Sequence, residues 1–212
     1  MREIGGEAMR RRIWALGVVV LLVLVGACSS GGHRPDPSTS SSVAAPTTST
    51  APVAPNPYVV PPVITPAYVD AVFKVLNHIY GDATRELYSA NGVDATVRLD
   101  LRALFSDPLY AQELVNAAAS LSIGRTELRN PIGDVVTTVN QVVSQSSRCI
   151  FVETVSDFSA VNLRPDSAGS EYWELTTKDP SNDPQHINTT PWALSFNADF
   201  VNKTVVPDQC VG

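Results

Sequence analysis

Histidine and cysteine are scarce in this chain, each occurring three times in 212 residues. The histidines, His33, His78 and His186, lie far apart, and none has a carboxylate or nucleophile nearby in a recognisable catalytic arrangement. No His or Cys pair has the spacing of zinc ligands, and the Gly-x-Ser-x-Gly, Ser-x-x-Lys, His-Glu-x-x-His and phosphate-cradling Gly-rich motifs are missing. We therefore expect no catalytic residue that a motif would identify, no bound metal and no cofactor.

Basic residues are also few, with 15 Lys and Arg against 21 Asp and Glu. Residues 1–27 hold four of the basic and two of the acidic residues, so the rest carries 11 basic and 19 acidic residues, a net charge of −8. Proteins that bind DNA or RNA contact phosphates through clustered Lys and Arg, and this sequence has no basic stripe. We therefore expect no nucleic-acid partner.

Long apolar runs are missing as well. The apolar segment at residues 13–25 is shorter than the roughly 20 residues that span a bilayer as a helix. It follows Arg10, Arg11 and Arg12 and ends at small residues, which is the layout of a cleaved export signal. We predict a signal peptide over residues 1–27.

The last residues of this segment, Val25-Gly26-Ala27-Cys28, resemble the lipobox of bacterial lipoproteins of the actinobacterial (mycobacterial) type. The resemblance covers only the first 28 residues. It implies that Cys28 receives a diacylglycerol and becomes the new N-terminus, so that the protein is extracytoplasmic and anchored to the cell membrane by lipid. The alternative is an ordinary secretory signal that is cut after Ala27.

The composition of residues 28–63 is typical of a tether. From Ser29 to Val63 the chain has eight Pro and eleven Ser or Thr, too little apolar surface to offset the entropy of ordering. We predict a disordered spacer that holds the folded part away from the membrane. The tract from Ala45 to Pro52 also resembles sites of O-mannosylation, although a plain spacer is the favoured interpretation.

Residues 64–212 suit one domain with a single core. Thr65-Pro66 is a good start for a helix, whose apolar spacing continues to Tyr88 and allows a break at Gly81-Asp82. Residues 96–105 fit either a short strand or a helical turn. A second helix is predicted to begin at residues 106–108 and to bury one apolar side, formed by Ala111, Leu114, Val115, Ala118 and Leu121.

Four β-rich segments follow, at residues 135–143, 149–158, 171–177 and 192–200. The last has the clearest strand pattern, because apolar residues alternate along it: Trp192, Leu194, Phe196, Ala198 and Phe200. Helices followed by strands predict an α+β domain, in which N-terminal helices pack on a curved, mainly antiparallel sheet of four to five strands, cone-like in shape.

This element order resembles the nuclear-transport-factor-2-like (cystatin-like) superfamily, in which a long first helix crosses a strongly bent sheet to form a cone. The match covers residues 65–205 and involves no diagnostic motif. The superfamily includes ketosteroid isomerase and dehydratases as well as ligand-binding and scaffold domains, so it does not decide function. The aromatic residues that we expect to line such a cone are Tyr80, Tyr88, Trp173, Trp192 and Phe196.

With Cys28 lipidated, Cys149 and Cys210 form an even pair in an oxidising compartment, and we predict a disulfide between them. In the chain-entropy model, closing a loop of about 60 residues contributes roughly 4 kcal/mol of stability. A functional thiol or a metal site is the alternative. The oxygen-rich loop from Asp179 to Pro184 lacks the Gly and bidentate Glu of an EF-hand, and we predict a solvated turn there.

Two functional classes remain open from the sequence. One is a non-catalytic envelope protein that binds an apolar small molecule or lipid in the cone or docks onto an envelope protein; a purely structural role is a third alternative beside the two. The other is a small enzyme of the isomerase or dehydratase type that uses an Asp/Tyr pair in the cone. The residues of suitable type for that pair are Tyr80, Asp82, Tyr88, Asp100 and Asp199.

Overall fold

A computed structural model describes residues 54–122, 125–163, 168–199 and 210 of the chain. The predicted signal peptide, Cys28 and most of the predicted tether lie outside these residues. The α+β class predicted from the sequence is confirmed, because three helices precede a four-stranded open sheet. No helix within the described residues is both long and apolar enough to span a membrane. The elements are α1 (Pro66–Ala90), α2 (Ala95–Leu104), α3 (Asp107–Ser120), β1 (Val136–Gln145), β2 (Cys149–Asp157), β3 (Ala168–Thr177) and β4 (Trp192–Asp199).

Helix α1 begins where the sequence predicts. The Thr65 hydroxyl accepts a hydrogen bond from the Tyr68 backbone N–H at 3.3 Å, and a proline occupies the first turn. The helix continues through Gly81 without the break that its Gly-Asp pair allowed. Glycine at this position allows the Asp134 side chain to approach the helix closely, because a Cβ atom on Gly81 would lie 2.1 Å from an oxygen of Asp134. The helix ends at Asn91, which adopts the left-handed conformation with φ of 53°.

The segment that fitted either a strand or a helical turn forms α2. Its first turn is capped by Asp94, whose carboxylate accepts a hydrogen bond from the Val97 N–H at 2.9 Å. After α2 the chain passes along β4, since Phe105 forms a parallel bridge with Leu194 and the Ser106 N–H donates to the Leu194 carbonyl. This bridge fixes α2 and the start of α3 beside the last strand.

The four strands are all antiparallel and lie in the order β1-β2-β3-β4. The register shifts twice in β1, between Val139 and Gln141 and between Val142 and Ser144, and β4 has one extra residue at Ser195. Such bulges bend a strand and increase its twist. The helices cover one face of this sheet, and the inward strand residues of the main core are Val139, Ile150, Val152, Leu175, Trp192 and Leu194.

The opposite face of the sheet carries the disulfide. Ile150 and Val152 of β2 face the helices, so Cys149 and Phe151 face away from them. The structure joins Cys149 to Cys210. In the loop between β3 and β4, Asp179 is exposed and caps a short 3₁₀ turn, as a solvated turn would require. Asp183 differs from that expectation because it is buried.

Candidate functional site

A cavity of about 410 Å³ lies between the helices and the sheet. This volume is in the range of small-molecule binding sites. Asn116 lines the cavity and is itself exposed, so the cavity reaches solvent beside α3. Most of its wall is apolar, and the larger apolar side chains in that wall are Phe73, Leu76, Leu87, Leu101, Phe105 and Leu194.

The space exists because short side chains face each other across it. At the filled end of the helix–sheet interface, the inward strand residues are large, such as Ile150 and Leu175. At the cavity end, the inward positions of β1 and β2 are Thr137 and Ser156, and α1 contributes Ala83. Protein interiors normally pack at crystal density, so a run of small residues at one end of a core leaves room for another molecule.

Helix α3 turns a partly polar face to this space. Glu113, Asn116, Ala117 and Ser120 all line the cavity, and their spacing places them on one side of a helix. The predicted buried side of this helix, which included Val115, is wrong, because Val115 is 51% exposed. The stripe that packs against the core is rotated by about one residue. It consists of the buried Leu109 and the partly buried Tyr110, Leu114, Ala117 and Leu121.

Glu113 is the acidic side chain that α3 places at the cavity. Burial raises the pKa of its carboxyl group, and a hydrogen bond from the Asn116 side chain, at 2.9 Å, partly opposes that rise. Among the described residues, Glu113 forms no ion pair, and no Lys, Arg or His lines the cavity. The cavity therefore contains a carboxyl group whose charge no described basic residue balances.

Tyr80 lies on the α1 side of the same cavity. Its ring packs edge-on against Phe105, with ring centres 6.3 Å apart. Burial, followed by the nearby charges of Glu113 and Glu171, raises the pKa of the phenol well above its ordinary value, so the hydroxyl keeps its proton. No described residue forms a hydrogen bond with that hydroxyl. Tyr88 differs, because its hydroxyl donates to the Ser120 carbonyl at 3.2 Å and ties α1 to α3.

A line of polar side chains crosses the sheet side of the cavity. Asn77 donates to the Thr137 hydroxyl at 3.0 Å, which lies 3.1 Å from the Ser156 hydroxyl. Ser156 in turn donates to Glu171 at 3.4 Å, and the Trp173 indole N–H donates to the same carboxylate oxygen at 2.8 Å. These bonds orient Glu171 and Trp173 at the cavity wall.

Of the five aromatic residues predicted to line a cone, the structure places Tyr80, Tyr88 and Trp173 in the cavity wall. Trp192 is fully buried in the filled core, where its indole N–H donates to the Tyr68 hydroxyl at 2.8 Å. Phe196 is not among the described residues that line the cavity.

The bulge in β4 explains the position of Phe196. Leu194 pairs with Leu175, but Phe196 pairs with the very next residue of β3, Glu174, which leaves Ser195 unpaired. The extra residue reverses the alternation, so Asn197 faces the cavity and Phe196 faces the other side of the sheet. The expectation that Phe196 lines the pocket is corrected for this reason.

The aspartates considered for an Asp/Tyr pair do not line the cavity within the part of the chain described. Asp82 is exposed and pairs with Arg85 at 2.7 Å. Burial and three acidic neighbours raise the pKa of Asp100 to about 6, but its side chain is not in the cavity wall. The Asp199 side chain lies outside the description. The carboxyl groups at the cavity are Glu113 and Glu171, which the sequence analysis missed because neither belongs to a motif.

The described residues contain no group of three or more His, Cys, Asp or Glu side chains that could hold a metal ion. No protein-family model matches the sequence, and neither a curated protein nor a solved structure shows significant similarity to it. The geometry of the cavity is therefore the main evidence for what this protein does.

Proposed function

We propose that this protein is a membrane-anchored, extracytoplasmic ligand-binding protein, whose α+β domain holds a small, mainly apolar molecule. The observation that carries the proposal is the cavity of about 410 Å³, which has apolar walls and a few polar groups that converge on it. The lipobox-like Cys28 and the Pro/Ser/Thr-rich segment after it support the anchor and the tether. The order of helices and strands supports a nuclear-transport-factor-2-like domain, in which a pocket between helix and sheet would serve as the binding site.

Native mass spectrometry of the full chain, mixed with lipid extract from a bacterial envelope, tests this proposal. We expect a bound small molecule at one copy per chain. Ala117→Trp should abolish the bound mass, because the new indole would fill the cavity. Ala118→Trp is the matched control, since the next residue is exposed and does not line the cavity. A bare protein mass in every extract, or equal loss of binding in both variants, would contradict the proposal.

A second candidate is an isomerase-type enzyme, and one observation favours it. Glu113 has a raised carboxyl pKa, and Tyr80 is a protonated phenol near enough for the Glu113 charge to act on it. A carboxyl base and a hydrogen-bond donor are the groups that move a proton at a carbon next to a carbonyl. In this case the bound molecule would exchange its acidic C–H for deuterium in D₂O, and Glu113→Gln would stop the exchange. Binding without exchange would leave the carrier function alone.

A further inference from the structure

We propose that the molecule held in the cavity is an amphipathic amine, whose ammonium group binds to Glu113 and Tyr80 while its apolar body fills the space toward the sheet. This inference extends the proposed function, because it assumes that the cavity holds a ligand and adds the chemistry of that ligand. Three features of the cavity support the inference: its charge, the free hydroxyl of Tyr80, and the aromatic rings around them.

The first feature is the charge of the cavity. Glu113 accepts a hydrogen bond from the Asn116 amide and, among the described residues, has no cationic partner. Glu113 is partly buried, and a carboxylate that loses contact with water without gaining a cationic partner is costly. The described lining residues include no basic side chain, so a ligand that carries a positive charge would supply a partner that they do not. An anionic ligand such as a fatty acid would instead meet the carboxyl group of Glu113.

The second feature is Tyr80, which lines the cavity and whose hydroxyl forms no hydrogen bond with any described residue. A phenol both donates and accepts. It can therefore accept an N–H from an ammonium group and donate its own proton to a carboxylate oxygen. A neutral apolar ligand would leave this hydroxyl and Glu113 without new partners, whereas an ammonium ion offers up to three N–H donors to both.

The third feature is the set of aromatic rings in the cavity wall, which would contact the rest of the ligand. Aromatic rings attract cations through their faces and apolar groups through their area. The cavity wall contains Tyr80, Tyr88 and Trp173, and Trp173 is fixed by its bond to Glu171 and by its edge contact with Phe73. These rings and the aliphatic wall suit a body of one or two rings that carries a single amine. They do not suit a sugar or a peptide, which would need many more polar partners.

Three probes with one ring system test the inference: 1-naphthylmethylamine, 1-naphthalenemethanol and 1-naphthoate. Each is titrated by calorimetry into the full chain in detergent, and detergent alone serves as the blank. We expect the amine to bind at least about tenfold more tightly than the alcohol, because a hydrogen bond to a charged group is worth more than a neutral one. The naphthoate should bind more weakly than the alcohol.

Two variants complete the experiment. Glu113→Gln should remove the preference for the amine and leave the Kd of the alcohol within about twofold. Glu153→Gln removes the same charge from β2 at a position that does not line the cavity, and it should keep the preference. If alcohol and amine bind the wild-type chain equally, or if the preference survives in Glu113→Gln, the inference is overturned while the apolar site stands. If no probe binds, the inference fails, and the native mass spectra decide the proposed function separately.

Discussion

Asp183 and Glu113 are two acidic side chains with opposite surroundings: Asp183 is buried, and Glu113 is partly buried at the cavity. Asp183, in the loop before β4, is 2% exposed and accepts hydrogen bonds from the Lys178 ammonium at 2.9 Å, the Ile187 N–H at 2.8 Å and the Asn188 N–H at 3.0 Å. Glu113, at the cavity, accepts one described bond, from Asn116. The first carboxylate is fully compensated and the second is not.

Asp183 belongs to a hydrogen-bond network that holds the fold together. The Asp183 cluster continues through Asn188, whose amide donates to the Ala103 and Trp192 carbonyls at 3.0 and 2.8 Å. It thereby ties α2, the loop and β4 together. Glu113 ties nothing together beyond its own helix turn. A carboxyl group that lies in a cavity without a described counter-charge costs stability, and a ligand that pairs with it would recover that cost.

The largest effect should come from breaking the compensated cluster. Asp183→Ala would leave two backbone N–H groups without an acceptor and the Lys178 ammonium with only the Asn188 carbonyl, and we expect a loss of about 3–5 kcal/mol in the free energy of unfolding. Urea unfolding followed by circular dichroism measures this loss. Asp179→Ala is the control in the same loop, because it removes only an exposed cap and should cost far less than Asp183→Ala. A similar cost in both variants would refute the distinction between the two carboxylates.

Removal of the disulfide should lower the stability of the domain and leave the cavity unchanged. Cys149 and Cys210 are 61 residues apart, and replacing both with Ser should lower the free energy of unfolding by about 2–4 kcal/mol. The bond lies on the face of the sheet opposite the helices, so the Kd for a cavity ligand should not change below the melting temperature. Thermal unfolding and calorimetry on the same sample measure both quantities. An unchanged melting temperature would argue against the bond.

At the cavity, removing a carboxylate should raise the free energy of unfolding instead of lowering it. Burial raises the pKa of Glu113, so the folded state binds more protons than the unfolded state and loses stability as pH rises from the ordinary Glu pKa through the raised one. Glu113→Gln removes this loss, and the empty variant should be more stable than wild type at pH 8, by about 1 kcal/mol. Urea unfolding at pH 4 and pH 8 tests the difference. A variant less stable than wild type at pH 8 would show that Glu113 has a structural partner.

Much of the fold could be predicted because its signals are local. Thr65 and Pro66 specify the start of α1 by capping chemistry that involves neighbouring residues only. Dense β-branched residues predict β1 and β2, and alternating apolar residues predict β4. The bulge at Ser195 could not be predicted, since it depends on pairing with β3, and β4 alternates cleanly as a sequence. The same applies to Glu113, whose position depends on the rotation of α3 against the core.

The smallest effect on stability, and the sharpest test of the comparison, is expected from two tyrosines of α1. Tyr80→Phe removes a hydroxyl that bonds to no described residue, so the free energy of unfolding should change by less than about 0.5 kcal/mol. Tyr88→Phe removes the bond to the Ser120 carbonyl and should cost about 1 kcal/mol. The order should reverse for binding of 1-naphthylmethylamine, which Tyr80→Phe should weaken several-fold and Tyr88→Phe should affect less. If Tyr80→Phe instead destabilises the empty protein as much as Tyr88→Phe, its hydroxyl is part of the fold, and the cavity loses one of the two groups assigned to its ligand.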